Sequence, residues 1–85
     1  MTLIYRVYVL QNPRGVFYIG FTENVEVRVE QHNAGMSRST RSKGPWKLVW
    51  QSDLLDIHSA RGLEMELKQQ KGGNGFYQKT GIERV

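Results

Sequence analysis

Two short stretches near the start of the chain alternate between apolar and polar side chains, as strands do when one face lies against a core. Residues 3–10 put Val7 and Val9 on one face and Arg6 and Tyr8 on the other. Residues 16–21 likewise have an apolar face, formed by Phe17, Ile19 and Phe21. The segment NPRG between them is typical of a turn, because Pro fixes φ and Gly accepts positive φ. The pattern therefore predicts an antiparallel hairpin.

Tyr8 and Tyr18 both fall on the less apolar phase of these two strands. On neighbouring antiparallel strands, two such side chains can contact each other on one face of the sheet. Two phenols in that arrangement are either ordinary packing residues or part of a site. The local pattern alone does not distinguish these two interpretations.

Residues 25–30, with the sequence VEVRVE, fit two different elements. Their strict alternation favours a strand, and the three valines lower the helix propensity. A helix is favoured by the N-cap candidate Asn24 and by a plausible helix end at residues 33–35. In a helix, Arg28 and His32 would lie one turn apart on the same side. The pattern leaves both alternatives open.

A basic loop and a third strand follow. Residues 36–45 form a polar segment rich in cations, which are Arg38, Arg41 and Lys43, with Lys47 flanking it. Residues 46–51 predict a strand whose large apolar side chains share one face, namely Trp46, Leu48 and Trp50. The loop is therefore a candidate surface for contacting phosphates.

The C-terminal part of the chain predicts one helix and an undefined tail. Asp56 is an N-cap candidate for a helix that ends near Lys71, with a core stripe formed by Ala60, Leu63 and Leu67. Glu64 lies at the edge of this stripe, one turn before Lys68. The sequence KGGNG ends the helix, and residues 76–85 predict no particular element.

Composition narrows the class of protein. The 85 residues predict one domain over residues 1–85, and the mixture of strands and helices predicts the α+β class. The 12 Lys and Arg against 8 Asp and Glu give a net charge of +4. This charge favours nucleic acid or another polyanion as partner, although a solvated basic surface explains the charge alone equally well.

Other features of the composition exclude some sites and locations. The chain has no cysteine, which excludes disulfides and thiolate metal sites. It lacks both an apolar run of about 18 residues and the apolar core of a signal peptide. We therefore expect a cytoplasmic protein that does not associate with membranes.

Five motifs in order along the chain resemble the GIY-YIG nuclease superfamily. They are RVY at 6–8, YIG at 18–20, EVRVEQHNAG at 26–35, STRSKGPWKLVW at 39–50 and SARGLEMELK at 59–68. The sequence is most similar to small stand-alone bacterial members, which resemble the N-terminal catalytic module of the excision-repair nuclease (excinuclease). The resemblance covers roughly residues 4–70. It implies a helix for residues 24–34 and a central three-stranded antiparallel sheet flanked by helices.

The resemblance also implies a set of catalytic residues. Tyr8 and Tyr18 match the two motif tyrosines, one of which is expected to activate the attacking water. Arg28 matches the arginine that stabilises charge on the phosphate, and its rigid fork of donors suits phosphate oxygens. His32 matches a residue that positions the nucleophile or its base. Glu64 matches the single carboxylate that binds a divalent metal.

The function implied by this resemblance is metal-dependent hydrolysis of DNA phosphodiester bonds. One Mg²⁺ or Mn²⁺ is the expected cofactor, and Mg²⁺ commonly takes only one or two protein carboxylates. The expected DNA contacts are Arg38, Arg41, Lys43 and Lys68. The activity would be structure-specific or repair-related, with a targeting protein as a further partner. Two alternatives stay open, a nucleic-acid-binding module with little or no nuclease activity and a protein-interaction module whose basic surface is incidental.

Overall fold

A three-stranded antiparallel sheet in the order β2-β1-β3 forms the centre of the protein. The computed structural model describes residues 2–83. Within this range the elements are β1 Arg6–Gln11, β2 Phe17–Thr22, α1 Val25–Asn33, β3 Lys47–Gln51, α2 Ile57–Gln70 and α3 Asn74–Thr80. This is the predicted α+β arrangement of a three-stranded antiparallel sheet flanked by helices. None of the described helices is long and apolar enough to cross a bilayer.

The predicted hairpin is confirmed, and its turn is built around Asn12. The side-chain oxygen of Asn12 accepts hydrogen bonds from the backbone N–H groups of Arg14, at 3.0 Å, and Val16, at 2.9 Å. Gly15 takes a φ of 84°, which a residue with a Cβ rarely adopts. β1 begins later than the alternation suggested, because Tyr5 forms only an isolated bridge with Leu55.

Apolar side chains cover both faces of the sheet. One set, here called the helix-side cluster, joins the sheet to α2 and α3 and consists of Val7, Val9, Phe17, Ile19, Ala60, Leu67 and Phe76. The opposite set, the tyrosine-side cluster, consists of Tyr8, Leu10, Val25 and Trp46. The face that carries Tyr8 is therefore buried as well, beneath α1 and the segment that precedes β3. Burial on both sides is the reason that β1 is apolar at nearly every position.

The segment with two open interpretations is helical, as the family resemblance implied. Asn24 caps α1, and its side-chain oxygen accepts the backbone N–H of Val27 at 3.2 Å. Val25 is buried in the tyrosine-side cluster, and Val29 packs against it. Gly35, with a φ of 77°, follows the helix. Capping and tertiary packing together outweigh the low helix propensity of the valines.

β3 differs from the prediction in the direction of its side chains. Trp50 pairs with Val9, whereas Leu48 pairs with Leu10, so Val49 is one residue too many on the β3 side. A bulge of this kind reverses the alternation along the strand. Leu48 packs on the tyrosine-side cluster, and Trp50 packs on the helix-side cluster. The prediction that Trp46, Leu48 and Trp50 share one face was therefore wrong for Trp50.

The predicted C-terminal helix is confirmed, and a further helix follows it. Asp56 caps α2 by accepting the backbone N–H of Ser59 at 2.8 Å, and this hydrogen bond lowers the pKa of the Asp56 carboxyl. α3 occupies the start of the predicted tail and buries Phe76 against Phe17, with the ring centres 4.8 Å apart. Burial of Phe76 stabilises this short helix. The last residues of the predicted tail, 84 and 85, lie outside the described residues.

Candidate active site

The buried hydroxyl of Tyr8 is the centre of the candidate site. Tyr8 lies on the central strand with only 1% of its surface exposed, and its hydroxyl is 2.8 Å from Nε2 of His32. Gly20 is its partner in the β1–β2 register. A Cβ atom at Gly20 would lie 2.7 Å from the Tyr8 hydroxyl oxygen, closer than non-bonded contact allows. Glycine at position 20 therefore makes room for the phenol.

His32 lies in the last turn of α1 and is 1% exposed. Both of its ring nitrogens have a hydroxyl partner, because Nδ1 is 2.8 Å from Oγ1 of Thr40. Its ring centre is 4.7 Å from that of Tyr18 and 5.8 Å from that of Tyr8. The imidazole therefore lies between the two tyrosines and the loop that follows α1.

Tyr18 lies on the same face of the sheet as Tyr8, as predicted. Their ring centres are 6.3 Å apart, and Tyr18 is only half-buried. The two residues are diagonal neighbours, since Tyr18 faces Leu10 in the register and Tyr8 faces Gly20. One phenol of the pair is thus enclosed, whereas the other reaches solvent.

Three charged or ionisable groups surround the Tyr8 hydroxyl. Burial raises the pKa of Tyr8 to about 12, and the neighbouring Tyr18 adds to the rise. The nearby positive charge of Arg28 lowers the pKa of Tyr8, and the Glu64 carboxylate makes a smaller upward contribution. The phenol of Tyr8 is therefore neutral at physiological pH. Side chains from β1, β2, α1 and α2 act on this one oxygen atom.

The imidazole of His32 is also held in its neutral form. Burial lowers the pKa of His32, and the nearby positive charge of Arg28 lowers it further. Arg28 itself is half-buried and donates from Nη1 to Oε1 of Gln31 at 2.9 Å. A neutral imidazole beside a neutral phenol can receive a proton from it.

Glu64 is the carboxylate that the motif order predicts for this group, and its charge acts on the Tyr8 hydroxyl. Its side chain is 17% exposed, and its Oε2 atom lies 3.5 Å from Nζ of Lys68, one turn further along α2. The described residues contain no group of three or more His, Cys, Asp or Glu side chains that could enclose a metal. Mg²⁺ suits a site of this kind, because it retains several waters and binds through one or two carboxylates plus substrate oxygens.

The basic loop is anchored firmly although its cations are exposed. Oδ1 of Asn33 accepts the backbone N–H of Trp46 at 2.6 Å, and Nδ2 donates to the Trp46 carbonyl at 3.0 Å. The Trp46 indole donates to the carbonyl of Thr40 at 3.0 Å, and the Asn12 side chain donates to the carbonyl of Lys43 at the same distance. Exposed side chains extend from this frame, namely Arg38, Arg41 and Lys43.

The structure brings together five of the residues predicted for the site, which are Tyr8, Tyr18, Arg28, His32 and Glu64. Lys68 joins them through its ion pair with Glu64. The loop that carries Arg38, Arg41 and Lys43 contacts the group through the Thr40 side chain, whose Oγ1 atom lies 2.8 Å from Nδ1 of His32.

Sequence reasoning missed two residues of this region. Gly20 carries a usable signal, because a glycine inside a strand marks the close approach of another group. Thr40 has no such sequence signal. It lies in a polar loop and becomes a hydrogen-bond partner of His32 only when that loop folds over α1.

The structure thus defines a small α+β protein with a group of ionisable side chains on one face of a three-stranded sheet. Residues 4–77 match the GIY-YIG catalytic domain, so the chain belongs to the GIY-YIG nuclease family.

Relatives of two kinds share this family. A UPF0213 protein from Lacticaseibacillus paracasei is 39% identical over 70 residues, which span 81% of this chain and 79% of the relative. A UPF0213 protein from Aeromonas salmonicida is 38% identical over 65 residues, but this chain spans only 48% of its length. The human structure-specific endonuclease subunit SLX1 is 44% identical over 52 residues, 54% of this chain and 18% of that protein.

A solved structure of a UPF0213 protein from Bacillus halodurans is similar over 95% of this chain and 98% of that one. The sequence identity is 25% and the TM-score is 0.49.

Proposed function

We propose that this protein is a metal-dependent endonuclease that hydrolyses phosphodiester bonds in DNA. The observation that carries the proposal is the convergence of Tyr18, Arg28, His32 and Glu64 on the buried Tyr8 hydroxyl. An arginine, a single carboxylate and a phenol hydrogen-bonded to a neutral imidazole provide anion stabilisation, metal binding and proton transfer in one place.

In this proposal, Glu64 holds one divalent cation, for which Mg²⁺ or Mn²⁺ are the candidates. When bound, the cation supplies charge stabilisation to the phosphate oxygens and lowers the pKa of a coordinated water. Arg28 donates to a non-bridging phosphate oxygen and stabilises the negative charge that develops there. Tyr18, which is half-buried, orients the phosphate or the attacking water through its hydroxyl.

Proton transfer in the proposed reaction runs through Tyr8 to His32. As the water oxygen bonds to phosphorus, its proton passes to the Tyr8 oxygen, while the Tyr8 proton passes to Nε2 of His32 across 2.8 Å. The bond between phosphorus and the leaving oxygen breaks on the opposite side, and that oxygen takes a proton from solvent. With a pKa of about 12, Tyr8 rarely ionises alone at neutral pH. The neutral imidazole of His32 provides the base that the phenol needs.

The basic loop and Lys68 make the DNA contacts of this proposal outside the reacting phosphate. The exposed side chains of Arg38, Arg41 and Lys43 are suited to phosphates of the DNA backbone, which give affinity without sequence specificity. Lys68 pairs with Glu64 in the absence of metal. Binding of a cation at Glu64 would release Lys68 to a neighbouring phosphate.

We infer from the SLX1 relatives that branched DNA is the first substrate to test. The human and mouse proteins are each called a structure-specific endonuclease subunit, and they match 54% and 46% of this chain. A structure-specific role in the repair of DNA, with a targeting protein as partner and a cytoplasmic location, is the corresponding proposal for this protein.

The test is to incubate the purified protein with nicked, branched and plain duplex DNA, with Mg²⁺, with Mn²⁺ and with a chelator. We expect strand cleavage that requires the divalent cation. A protein that binds these DNAs but cleaves none of them would support the second candidate, a nucleic-acid-binding module of the same fold.

A further inference from the structure

We propose that Thr40 is a positioning residue, which fixes His32 in the tautomer whose Nε2 atom accepts the proton of Tyr8. The inference rests on the proposed nuclease function and adds to it a residue outside the group formed by Tyr8 and the four side chains around its hydroxyl. It follows from a hydrogen-bonded chain that runs from Tyr8 through His32 and Thr40 to the Ser37 carbonyl and has one consistent direction.

The donor-to-acceptor direction of the chain follows from the groups around the Tyr8 hydroxyl. The positive charge of Arg28 acts on the Tyr8 oxygen, and a guanidinium has no acceptor atom, so the Tyr8 hydroxyl cannot donate to it. The Tyr8 hydroxyl hydrogen is then free to donate, and the atom within reach is Nε2 of His32 at 2.8 Å. A neutral imidazole with an accepting Nε2 carries its hydrogen on Nδ1.

The contacts of Thr40 fit the same tautomer. The Thr40 hydroxyl is oriented to donate to the carbonyl of Ser37, at 3.5 Å, and is therefore able to accept from Nδ1–H of His32, at 2.8 Å. The titratable and charged groups that face His32 are Tyr8, Tyr18 and Arg28, and none of them can accept from Nδ1 in place of Thr40.

Thr40 is buried, and hydrogen bonds to its backbone hold it beside His32. It is 1% exposed, its carbonyl accepts the Trp46 indole N–H at 3.0 Å, and its backbone N–H donates to Ser37 at 3.2 Å. Arg38 and Arg41 lie on either side of it in the basic loop. Thr40 therefore links the proposed DNA-contacting loop directly to the proposed proton acceptor.

The first measurement is the ¹⁵N chemical shift of the His32 ring nitrogens at neutral pH. The chain has two histidines, and the other, His58, is exposed, so a His58→Gln variant assigns the signals. We expect Nδ1 of His32 to show the shift of a protonated nitrogen and Nε2 the shift of an accepting one. The opposite pattern would overturn the proposal, whether or not the protein cleaves DNA.

The second measurement compares three threonine variants. Thr40→Val removes the hydroxyl but keeps the shape, Thr40→Ser keeps the hydroxyl, and Thr80→Val is the matched control. Thr80 is also buried, at 7% exposed, and donates to the Phe76 carbonyl at 2.9 Å in α3, on the other side of the sheet. Thr40→Val and Thr80→Val should therefore both lose stability, but only the former should alter the His32 signals.

We expect Thr40→Val to mix the His32 tautomers and to slow Mg²⁺-dependent nicking by roughly 10- to 100-fold, less than the loss of a whole general base. DNA affinity should be unchanged, and Thr40→Ser should restore both the shifts and the rate. Unaltered His32 shifts in Thr40→Val would refute the positioning role. A wild-type protein that shows the expected shifts but nicks no DNA would refute the proposed function and leave the tautomer assignment intact.

Discussion

At the scale of single residues, two neutral groups in contact decide the chemistry of the candidate site. Burial raises the pKa of Tyr8 and lowers the pKa of His32, so both side chains are neutral in the folded protein at neutral pH. A proton that moves from one to the other creates a charge pair inside the protein. That pair is stabilised only when further charge, from a bound cation and a phosphate, enters the site. In the proposed reaction, proton transfer from Tyr8 to His32 would therefore depend on the presence of substrate.

The proposed role of Glu64 as metal ligand is tested by Glu64→Gln, which removes the charge and keeps the shape. The ion pair with Lys68 is lost, and it contributes about 0.3–0.5 kcal/mol on an exposed helix surface. Folding should therefore persist. Cleavage should fall by orders of magnitude, because charge stabilisation and water activation are lost together. The measurement is the Mg²⁺-dependent nicking rate, with thermal melting as the check on folding.

The control for this variant is Glu66→Gln, in the same helix. Glu66 is partly exposed and forms an ion pair with Lys79 of α3 instead of facing the tyrosines. Its substitution should leave the nicking rate unchanged. Equal rates in wild type and Glu64→Gln would remove Glu64 from the mechanism.

The depressed pKa of His32 predicts a pH dependence of stability. In the unfolded chain His32 takes up a proton near its ordinary pKa of 6.5, whereas the folded protein resists protonation until a lower pH. Between these two values the unfolded state binds more protons, so stability falls as the pH drops below about 6.5. Urea unfolding midpoints measured from neutral pH to about pH 5.5 test this prediction.

Two histidine variants separate this effect from others. His32→Gln should remove the loss of stability in this pH range, whereas His58→Gln, at the exposed histidine, should retain it. Asp56 also has a lowered pKa, but it titrates below its ordinary value of 3.8, outside the range. A midpoint that does not change over the range in wild type would contradict the buried, neutral state of His32.

At the scale of elements, the sequence predicts the central hairpin, α2 and its Asp56 cap, because these depend on local patterns and caps. The nature of α1 could not be decided from VEVRVE, since its alternation fits a strand whereas the Asn24 cap fits a helix. Packing of Val25 with Leu10 and Trp46 adds to the cap in favour of the helix, and that packing depends on the whole fold. The bulge at Val49 was missed for a related reason, because it is defined by the pairing with β1 and not by the composition of β3.

Two glycine-to-alanine substitutions should have opposite effects. Gly62 lies inside α2, and a Cβ there would meet no atom within 4 Å. Gly62→Ala should stabilise the protein by about 1 kcal/mol, because alanine has the higher helix propensity. Gly20→Ala would place a methyl group 2.7 Å from the Tyr8 oxygen. It should destabilise by about 1–3 kcal/mol, as overpacking does.

Urea unfolding of both variants measures these effects, and the His32 ring signals show whether Tyr8 has moved. Gly20→Ala should perturb the Tyr8–His32 hydrogen bond, whereas Gly62→Ala should not. If Gly20→Ala were as stable as wild type with unchanged His32 signals, the close approach of Tyr8 to Gly20 would not constrain the site.

At the scale of the whole molecule, one loop carries three exposed cations and also contacts the candidate site through Thr40. The net charge of +4 predicts affinity for a polyanion but does not locate the surface that binds it. The site group could be predicted from the order of the motifs. The anchoring of the loop could not, because the hydrogen bonds that Trp46 makes with Asn33 and Thr40 connect residues in a polar segment without periodicity.

The contribution of this loop to DNA binding is tested by replacing Arg38, Arg41 and Lys43 with Gln. All three are exposed, and the substitutions leave in place the hydrogen bonds that Asn12 and Trp46 donate to the loop carbonyls. Binding should weaken on many DNA sequences alike, because phosphate contacts carry no base information. Each lost contact should flatten the dependence of log Kd on log salt by about 0.9, so the slope should change by about three.

The control is the pair Lys71→Gln and Lys79→Gln, at the end of α2 and in α3, which should lower the net charge without changing the slope. An unchanged slope in the triple variant, or an equal change per charge in the control, would mean that the basic loop does not contact phosphate.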